Sequence, residues 1–405
     1  MNSLEIDEIN NVTSILRSLV RIPTENPPGN TREIVEFLSS LSQINGFNTT
    51  IFGNDNKKSI LIMVGKKGPT FLLNAHLDTV PVGDISKWTI PPFEGIIKGG
   101  RMYGRGAADN KGGVTAAFLA LLSLKTLIAN SNFRVCGLFV ADEEVGGMEG
   151  TGKIISDGSL NGLNVRGAIV CDGSGLVDSK WGVRTATKGM LHIEITMLGI
   201  AAHAARPAQG KNAVLAMSEA LLKISQISFK GIESDELLGL PTLVPGSTIS
   251  GGTAINAVPG ICTATIDSRL TPKSSSEKIY KEVKAIAKSA ANSWGCKAVI
   301  KILQNVDAIV INQHDLILQD TLNAIKEVTS QDAVVRGLEG SNDAKYLIPA
   351  GITTIPGLSP SDSAKSRSHG VDESIGLEDV VTASKIYAAT IRRWSQRILD
   401  REMTQ

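Results

Sequence analysis

The chain has 405 residues, of which 41 are Lys or Arg and 40 are Asp or Glu, so its net charge is +1. A chain of this length usually divides its hydrophobic core between two domains. The balanced charge, without a basic run, argues against nucleic acid as a partner.

The N-terminus is acidic and lacks the basic and apolar regions of a signal peptide. No unbroken apolar stretch approaches the about 18 residues that a membrane-spanning helix needs. We therefore expect a soluble, cytoplasmic protein with no membrane partner. The four cysteines are widely spaced and mostly lie among apolar residues, which favours buried thiols over disulfides or a Cys-x-x-Cys metal site.

The first elements are two helices and three strands. Apolar residues recur at helical spacing from Ile9 to Val20, and a second helix follows Thr31, which we expect to cap it. This second helix is expected to end near Gly46. The three strands are then predicted at about residues 48–53, 59–65 and 70–76.

The third strand delivers His76, and Asp78 follows two residues later. Because side chains alternate along a strand, both residues point to the same side. There the carboxylate can hold one imidazole nitrogen and leave the other for a metal ion. A strand-end histidine that merely bonds an aspartate is the alternative.

A Pro- and Gly-rich stretch at residues 81–106 comes next, and long loops of this kind are more often functional than not. The glycine-rich segment 104–113 fits neither the Walker pattern nor GxGxxG, so it does not indicate a nucleotide site. Asp109 lies just before a helix that we expect to run through Leu124. It is a candidate functional carboxylate, with a plain helix N-cap as the alternative.

Three consecutive acids, Asp142, Glu143 and Glu144, follow a buried strand at residues 133–141. Neighbouring carboxylates repel one another, so the cluster indicates a cation unless the charges are simply solvated. A further strand ends in Asp172. Strands that alternate with helices predict an α/β domain with a mostly parallel sheet and helices on both faces. Functional sites in such sheets gather at the carboxyl ends of the strands.

The pattern changes between residues 185 and 303. Strands and helices follow there in the order β-α-β-β-α-β, which is typical of a ferredoxin-like α+β domain. They are expected at about residues 186–198, 211–226, 242–250, 261–269, 274–292 and 297–303. We therefore predict an inserted domain at 185–303 between two parts of one catalytic domain, residues 1–184 and 304–405.

The second part of the catalytic domain resumes the α/β pattern. Helices are expected from about residue 314, after Ser341 and at 375–395, and a short strand at 352–355. A polar loop at residues 360–372 carries His369.

The candidate metal ligands are two imidazoles and three carboxylates: His76, Asp109, Glu144, Asp172 and His369. This mixed set of nitrogen and oxygen ligands suits zinc, cobalt or manganese better than calcium or magnesium. Five ligands suit two ions that share a bridging carboxylate. Two such ions can hold a water, lower its pKa to about 7 and polarise a substrate carbonyl. Glu143, next to a ligand but free to face that water, is the natural general base.

Five motifs, in this order, resemble those of the M20 metallopeptidase family. They are His76-Leu77-Asp78-Thr79-Val80-Pro81, Gly104-Arg105-Gly106-Ala107-Ala108-Asp109-Asn110-Lys111-Gly112-Gly113, Asp142-Glu143-Glu144, Ala202-His203-Ala204-Ala205-Arg206-Pro207 and Ser368-His369-Gly370-Val371-Asp372-Glu373. The family includes acetylornithine deacetylase, succinyl-diaminopimelate desuccinylase, aminoacylase and glutamate carboxypeptidase. The resemblance covers nearly the whole chain and implies that the inserted domain is a lid and dimerisation domain.

The resemblance also implies how the ligands divide between two metal ions. Asp109 would bridge the ions. The other ligands would be His76 and Asp172 for one ion and Glu144 and His369 for the other. A cis peptide bond between Asp109 and the residue after it is implied as well.

Further roles follow from the same resemblance. Glu143 matches the catalytic base, and Asp78 matches the carboxylate that orients the histidine. His203 matches a histidine that crosses a dimer interface and stabilises the oxyanion in the partner's active site; a locally bonded histidine is the alternative. Asn256 and Arg269 match residues that contact the substrate carboxylate, a task that suits arginine's planar fork. A hairpin asparagine and a solvated arginine are the alternatives.

Two positions depart from the family pattern. Asn110 stands where methionine is common, which leaves the chemistry intact because the preceding aspartate is the ligand. Asp172 stands where many deacylases have glutamate and several di- and tripeptidases have aspartate. Residues 340–346 resemble a segment that lines the substrate pocket of the deacylases. His192 and His314 are interpreted as structural.

We therefore predict a homodimeric two-metal amide hydrolase, with zinc first and cobalt or manganese next, that removes the acyl group from an N-acyl amino acid. Such a reaction belongs to amino-acid biosynthesis. The alternative enzyme is a metallo-carboxypeptidase or dipeptidase acting on short peptides. A catalytically inactive binding protein with this fold is the alternative from another class, and the intact Glu143 and ligand set argue against it.

Overall fold

The computed structural model describes residues 3–403 and divides into two compact units. The first unit comprises Met1–Thr185, Ile311–Arg336 and Asn342–Gln405. The second comprises Ala186–Val310 and Gly337–Ser341.

The α-helices, in chain order, are α1 (Ser3–Arg21), α2 (Arg32–Ile44), α3 (Gly112–Ala129), α4 (Lys153–Ser156), α5 (Ala213–Ile224), α6 (Ser276–Ser293), α7 (Leu316–Thr329), α8 (Ala344–Leu347) and α9 (Leu377–Met403). The strands are β1 (Asn48–Gly53), β2 (Lys58–Val64), β3 (Thr70–His76), β4 (Ile96–Lys98), β5 (Arg101–Tyr103), β6 (Arg134–Val140), β7 (Val165–Val170), β8 (Ser174–Val177), β9 (Lys180–Thr187), β10 (Gly189–Leu198), β11 (Ala202–His203), β12 (Thr242–Gly251), β13 (Ala257–Val258), β14 (Ile261–Leu270), β15 (Lys297–Val306), β16 (Ile309–Val310), β17 (Val334–Leu338), β18 (Thr354–Ile355), β19 (Ser361–Asp362) and β20 (Ser374–Gly376).

A six-stranded sheet with the order β1-β2-β6-β3-β7-β18 forms the centre of the first unit. β6, β3, β7 and β18 run parallel, whereas β2 is antiparallel to both of its neighbours. Every residue of β3 is buried, so both faces of the sheet are covered at its centre. The mostly parallel α/β sheet predicted from the sequence is therefore confirmed.

α3 is long and apolar enough to cross a membrane by length and composition alone. Most of this apolar stretch is buried inside the protein, where its side chains join the core together with those of α1 and α9. This burial is the pattern of a core helix. α3 continues beyond Leu124, where we expected it to end, as far as Ala129. The residues that follow, Asn130-Ser131-Asn132, are the first run of turn-forming residues after the helix.

The second unit contains a four-stranded antiparallel sheet with the order β12-β14-β10-β15. Alternate residues of β10 are buried against α5 and α6, which gives the unit its own core. The chain order β10-α5-β12-β14-α6-β15 is that of a ferredoxin-like domain. Next to it, β16 pairs with the end of β9, with Ala186 opposite Val310.

Three expectations about local structure need correction. The inserted domain does not end at residue 303, because β15 continues to Val306 and pairs with β10 along its length. Thr31 does not cap α2 with its side chain; its hydroxyl instead donates to the carbonyl of Lys58 at 2.7 Å. The stretch 81–106 contains regular structure after all, since β4 and β5 form a hairpin to which β20 adds.

The four cysteines are free thiols, and three of them are buried, so the prediction of buried thiols holds for Cys136, Cys171 and Cys262.

Candidate metal centre

Five predicted ligands come from separate elements of the first unit. His76 ends β3, and Glu144 and Asp172 follow β6 and β7 within a few residues of their carboxyl ends. Asp109 lies just before α3, and His369 lies in the loop between β19 and β20. The carboxyl ends of neighbouring parallel strands meet at one edge of a sheet, which is why these side chains converge.

Asp109 lies at the centre of the cluster. Its Oδ1 is 3.0 Å from His76 Nε2, and its Oδ2 is 3.2 Å from His369 Nε2. The same His369 nitrogen is 3.2 Å from Glu144 Oε2. Two groups of ligand atoms, each within 4.8 Å of one another, therefore share one carboxylate; they are His76, Asp109 and Asp172, and Asp109, Glu144 and His369.

The charges of the cluster call for a cation. Burial and the nearby carboxylate of Asp109 raise the pKa of Asp172 to about 6. Hydrogen bonds to Asp109 and Glu144 raise the pKa of His369 to about 10. The closely spaced carboxylates of the cluster therefore favour bound protons on Asp172 and His369. Divalent ions bound by imidazole nitrogen and carboxylate oxygen would replace those protons. The donor set fits two such ions.

The backbone that carries Asp109 is held by a second acid, Glu373. Its carboxylate accepts hydrogen bonds from the N–H groups of Ala108 and Asp109 at 2.9 and 3.0 Å, and from Arg105 Nη1 at 2.6 Å. The peptide bond between Asp109 and Asn110 is cis, as the resemblance implies. Sequence reasoning missed Glu373, although its position four residues after His369 within one motif was a usable signal.

Asp78 contacts His76 differently from the prediction. The His76 Nδ1 atom is 3.0 Å from the backbone carbonyl oxygen of Asp78 but 3.6 Å from its carboxylate. The carboxylate instead accepts hydrogen bonds from the backbone N–H groups of Glu143 and Glu144 at 3.1 and 3.2 Å, and from Asn26 Nδ2 at 2.8 Å. Asp78 therefore orients the acidic segment as much as the histidine.

Glu143 is close to the cluster but belongs to neither group of ligands. Its side chain is only 12% exposed, and burial raises its pKa well above the usual range for a glutamate, against the opposing effect of His76 and Lys345. A carboxyl group in this environment is suited to accepting and holding a proton.

Two predicted residues of the second unit, His203 and Asn256, lie side by side. β11 pairs with β13, and the N–H of Ala204 donates to the carbonyl oxygen of Asn256 at 2.9 Å. Both residues are exposed. His203 Nδ1 accepts a hydrogen bond from the N–H of Ala205 at 3.0 Å, while Nε2 has no hydrogen-bond partner between residues 3 and 403.

Arg269 is not brought near these two residues within the second unit. It lies at the far end of β14, where its Nε and Nη2 atoms both donate to the Asp267 carboxylate at 2.9 Å. Asp267 also contacts His192 Nε2 at 3.1 Å, which agrees with a structural role for His192. The Nη1 group and the second N–H of Nη2 make no hydrogen bond to residues 3–403, so these donors of Arg269 are left for a substrate carboxylate.

Comparison with known proteins gives matches over most of the chain. The family model described as Peptidase family M20/M25/M40 matches residues 72–393. A succinyl-diaminopimelate desuccinylase from Pseudoalteromonas atlantica is 26% identical over 361 residues, which cover 89% of this chain and 92% of the relative. Another protein of that name, from Pelagibacter ubique, is 25% identical over 95% of this chain and 99% of its own.

Solved structures share the fold at lower identity. The M20 family metallo-carboxypeptidase Sso-CP2 from Sulfolobus solfataricus superposes with a TM-score of 0.78 at 19% identity, covering 98% of this chain and 100% of its own. Human carnosine dipeptidase 1 gives 0.76 at 18% identity, covering 96% of each chain. YXEP from Bacillus subtilis, described as a dinuclear metal-binding peptidase, gives 0.66 at 15% identity, covering 96% and 99%.

Proposed function

Because the chain belongs to peptidase family M20/M25/M40 and is a metal-dependent hydrolase, we propose that it removes the acyl group from an N-acyl amino acid with two metal ions. The observation that carries this proposal is the pair of ligand groups that share Asp109. The desuccinylase names of two relatives that align over most of the chain support the choice of an acyl amino acid.

The two ligand groups would hold the ions, with zinc as the first candidate and cobalt or manganese as the next. When bound, such ions activate a water and polarise the amide carbonyl. Asp109 would contribute one carboxylate oxygen to each group, since its Oδ1 faces His76 and its Oδ2 faces His369.

Glu143 would act as the general base. It would accept the proton of the attacking water at a carboxylate oxygen and deliver it to the leaving nitrogen. Because burial raises the pKa of Glu143, the protonated form between these two transfers is favoured. Asp78 supports this step by holding the backbone N–H of Glu143.

We further propose that the protein is a homodimer formed through the second unit, and that His203 and Asn256 serve the partner's active site. The exposed Nε2 of His203 is suited to donating a hydrogen bond to the oxyanion of the substrate. The exposed apolar side chains of Leu215 and Leu222 on α5 support a covered surface on this unit. A substrate contact by Arg269 stays a prediction, as does the cytoplasmic location.

The alternative function is that of a carboxypeptidase or dipeptidase. Asp172 favours this alternative, because several di- and tripeptidases of the family have aspartate at the matching position, where many deacylases have glutamate. Two solved structures with this fold are a carboxypeptidase and a dipeptidase.

A hydrolysis panel decides between these functions. N-acetylornithine, N-succinyl-diaminopimelate and Gly-X dipeptides are incubated with zinc- and cobalt-loaded protein, and amine release is measured. We expect turnover of the N-acyl amino acids. Turnover of dipeptides alone would replace the proposal with the peptidase, and no turnover of any amide by protein that holds two ions would overturn both.

A further inference from the structure

Lys345, which lies on α8, is a buried lysine next to Glu143. Its side chain is 1% exposed, and its Nζ is 3.9 Å from Glu143 Oε1. The ammonium also lies 5.2 Å from the ring centroid of Tyr346, but it makes no hydrogen bond to any residue that the structure describes. Burying an ammonium group is costly unless it is paired, so this position requires a reason.

The three consecutive acids have different surroundings, which indicates what the lysine does. Asp142 pairs with Lys57, and Glu144 belongs to a ligand group with Asp109 and His369. Glu143, between them, faces the buried lysine. Three neighbouring carboxylates would otherwise compete for the same positive charge at the metal centre.

Residues on both sides of Lys345 are hydrogen-bonded to the chain that follows the three acids, at Gly146 and Thr151. The Asp343 carboxylate accepts a hydrogen bond from Thr151 Oγ1 at 2.7 Å, and the Tyr346 hydroxyl donates to the carbonyl of Gly146. These bonds fix the backbone from which Lys345 extends, and the burial of its side chain limits the rotation of its stem.

We propose that Lys345 is a positioning residue for the general base. Its ammonium holds the Glu143 carboxylate apart from the ligand groups, so that Glu143 faces the water and does not itself bind a metal ion beside Glu144. This inference rests on the proposed function and assigns a role to one residue of the segment that resembles a substrate-pocket lining.

The test compares three variants of the metal-loaded protein. Lys345→Met keeps the length of the side chain without its charge, and we expect kcat to fall about 100-fold, within the range that a general base contributes, while KM changes little. Lys345→Arg restores a cation, and we expect it to recover at least about a tenth of the wild-type kcat, since a guanidinium also pairs with carboxylates. Lys57→Met is the matched control, because it removes the cation from the neighbouring acid, and we expect kcat to stay near that of the wild type.

Two measurements do not depend on turnover. Elemental analysis should find two ions in each variant, as in the wild type. The visible absorption of Co²⁺-loaded protein reports the coordination of the ions, and we expect it to change in Lys345→Met, where Glu143 is free to become a ligand, and to return in Lys345→Arg.

A double variant separates positioning from an independent role. If the lysine acts by keeping Glu143 from the ions, adding Lys345→Met to Glu143→Ala should leave the visible absorption of the Co²⁺-loaded protein unchanged, because the group being positioned is already absent. A spectral change as large as that of the single variant would overturn the inference. So would a raised KM with unchanged kcat, which indicates substrate binding, or the loss of an ion.

Failure of the inference is distinguishable from failure of the proposed function. A wild type that cleaves an N-acyl amino acid, beside a Lys345→Met protein of equal kcat, overturns only the role of the lysine. A wild type that holds two ions and cleaves nothing in the panel overturns the function itself.

Discussion

Removing the Asp78 carboxylate should lower the free energy of unfolding, and the hydrogen bonds that it accepts determine the size of the loss. Asp78→Ala removes the acceptor of three donors, which are the N–H groups of Glu143 and Glu144 and the Nδ2 of Asn26. The Asn26 amide keeps a second, longer bond to Asp142 Oδ1 at 3.5 Å. Each unsatisfied buried donor costs about 1–3 kcal/mol. Some of these groups regain water in the variant, so we expect a loss of about 3–6 kcal/mol in the free energy of unfolding.

The assay is urea unfolding of chelator-treated protein followed by circular dichroism, so that metal loss does not contribute. With a slope of about 3 kcal/mol per molar urea, the midpoint should fall by about 1–2 M. Asp55→Ala is the control, because Asp55 is exposed and has no hydrogen bond through its side chain within residues 3–403. A midpoint for Asp78→Ala equal to that of the control would refute the reasoning.

Three further predictions concern the same region and the second unit. Glu143→Ala should abolish turnover while the protein keeps two ions, whereas Glu144→Ala should lose one; elemental analysis beside activity checks both, and a near-normal rate for Glu143→Ala would remove it from the role of base. Co-expression of His203→Ala chains with Glu143→Ala chains should restore activity, since one site of each mixed dimer then has both groups intact; mixed dimers as inactive as the parents would place His203 outside the partner's site. Asn110→Met should raise the free energy of unfolding by about 1–3 kcal/mol, because both polar atoms of this buried amide lack a partner among the described residues. Thermal unfolding checks this, and a lower melting temperature than that of the wild type would show that the amide has a partner such as water.

Most residues of the two candidate ligand groups follow a local pattern in the sequence. His76 and Asp172 end apolar runs, Glu144 lies in an acidic triplet and Asp109 precedes a helix, whereas His369 lies in a polar loop and was identified with the help of the family resemblance. Such patterns also gave the helices and the parallel strands, since hydrophobic periodicity is a property of neighbouring residues.

The supporting residues could not be found in this way. Glu373 bonds the backbone of Asp109 across 264 residues, and Lys345 reaches Glu143 from another distant segment. The motif that places Glu373 four residues after His369 marks the residue but not its contact with Asp109, and no periodicity near Lys345 indicates its contact with Glu143. The expected carboxylate contact between Asp78 and His76 is present but longer than a hydrogen bond, at 3.6 Å, because donors at Glu143 and Glu144, which are remote in sequence, compete for the carboxylate.

The pairing of β9 with β16 has a consequence for the modularity of the chain. Ala186 and Val310 are opposite each other in an antiparallel ladder, so the main segment of the second unit begins and ends at adjacent positions, and only Gly337–Ser341 of that unit lies outside it. Partners in such a ladder are about 5 Å apart, a gap that a two-residue hairpin turn closes. The whole segment between them could therefore be excised or exchanged for another domain by rewriting one turn, and metal binding by the shortened chain would report on the catalytic core by itself.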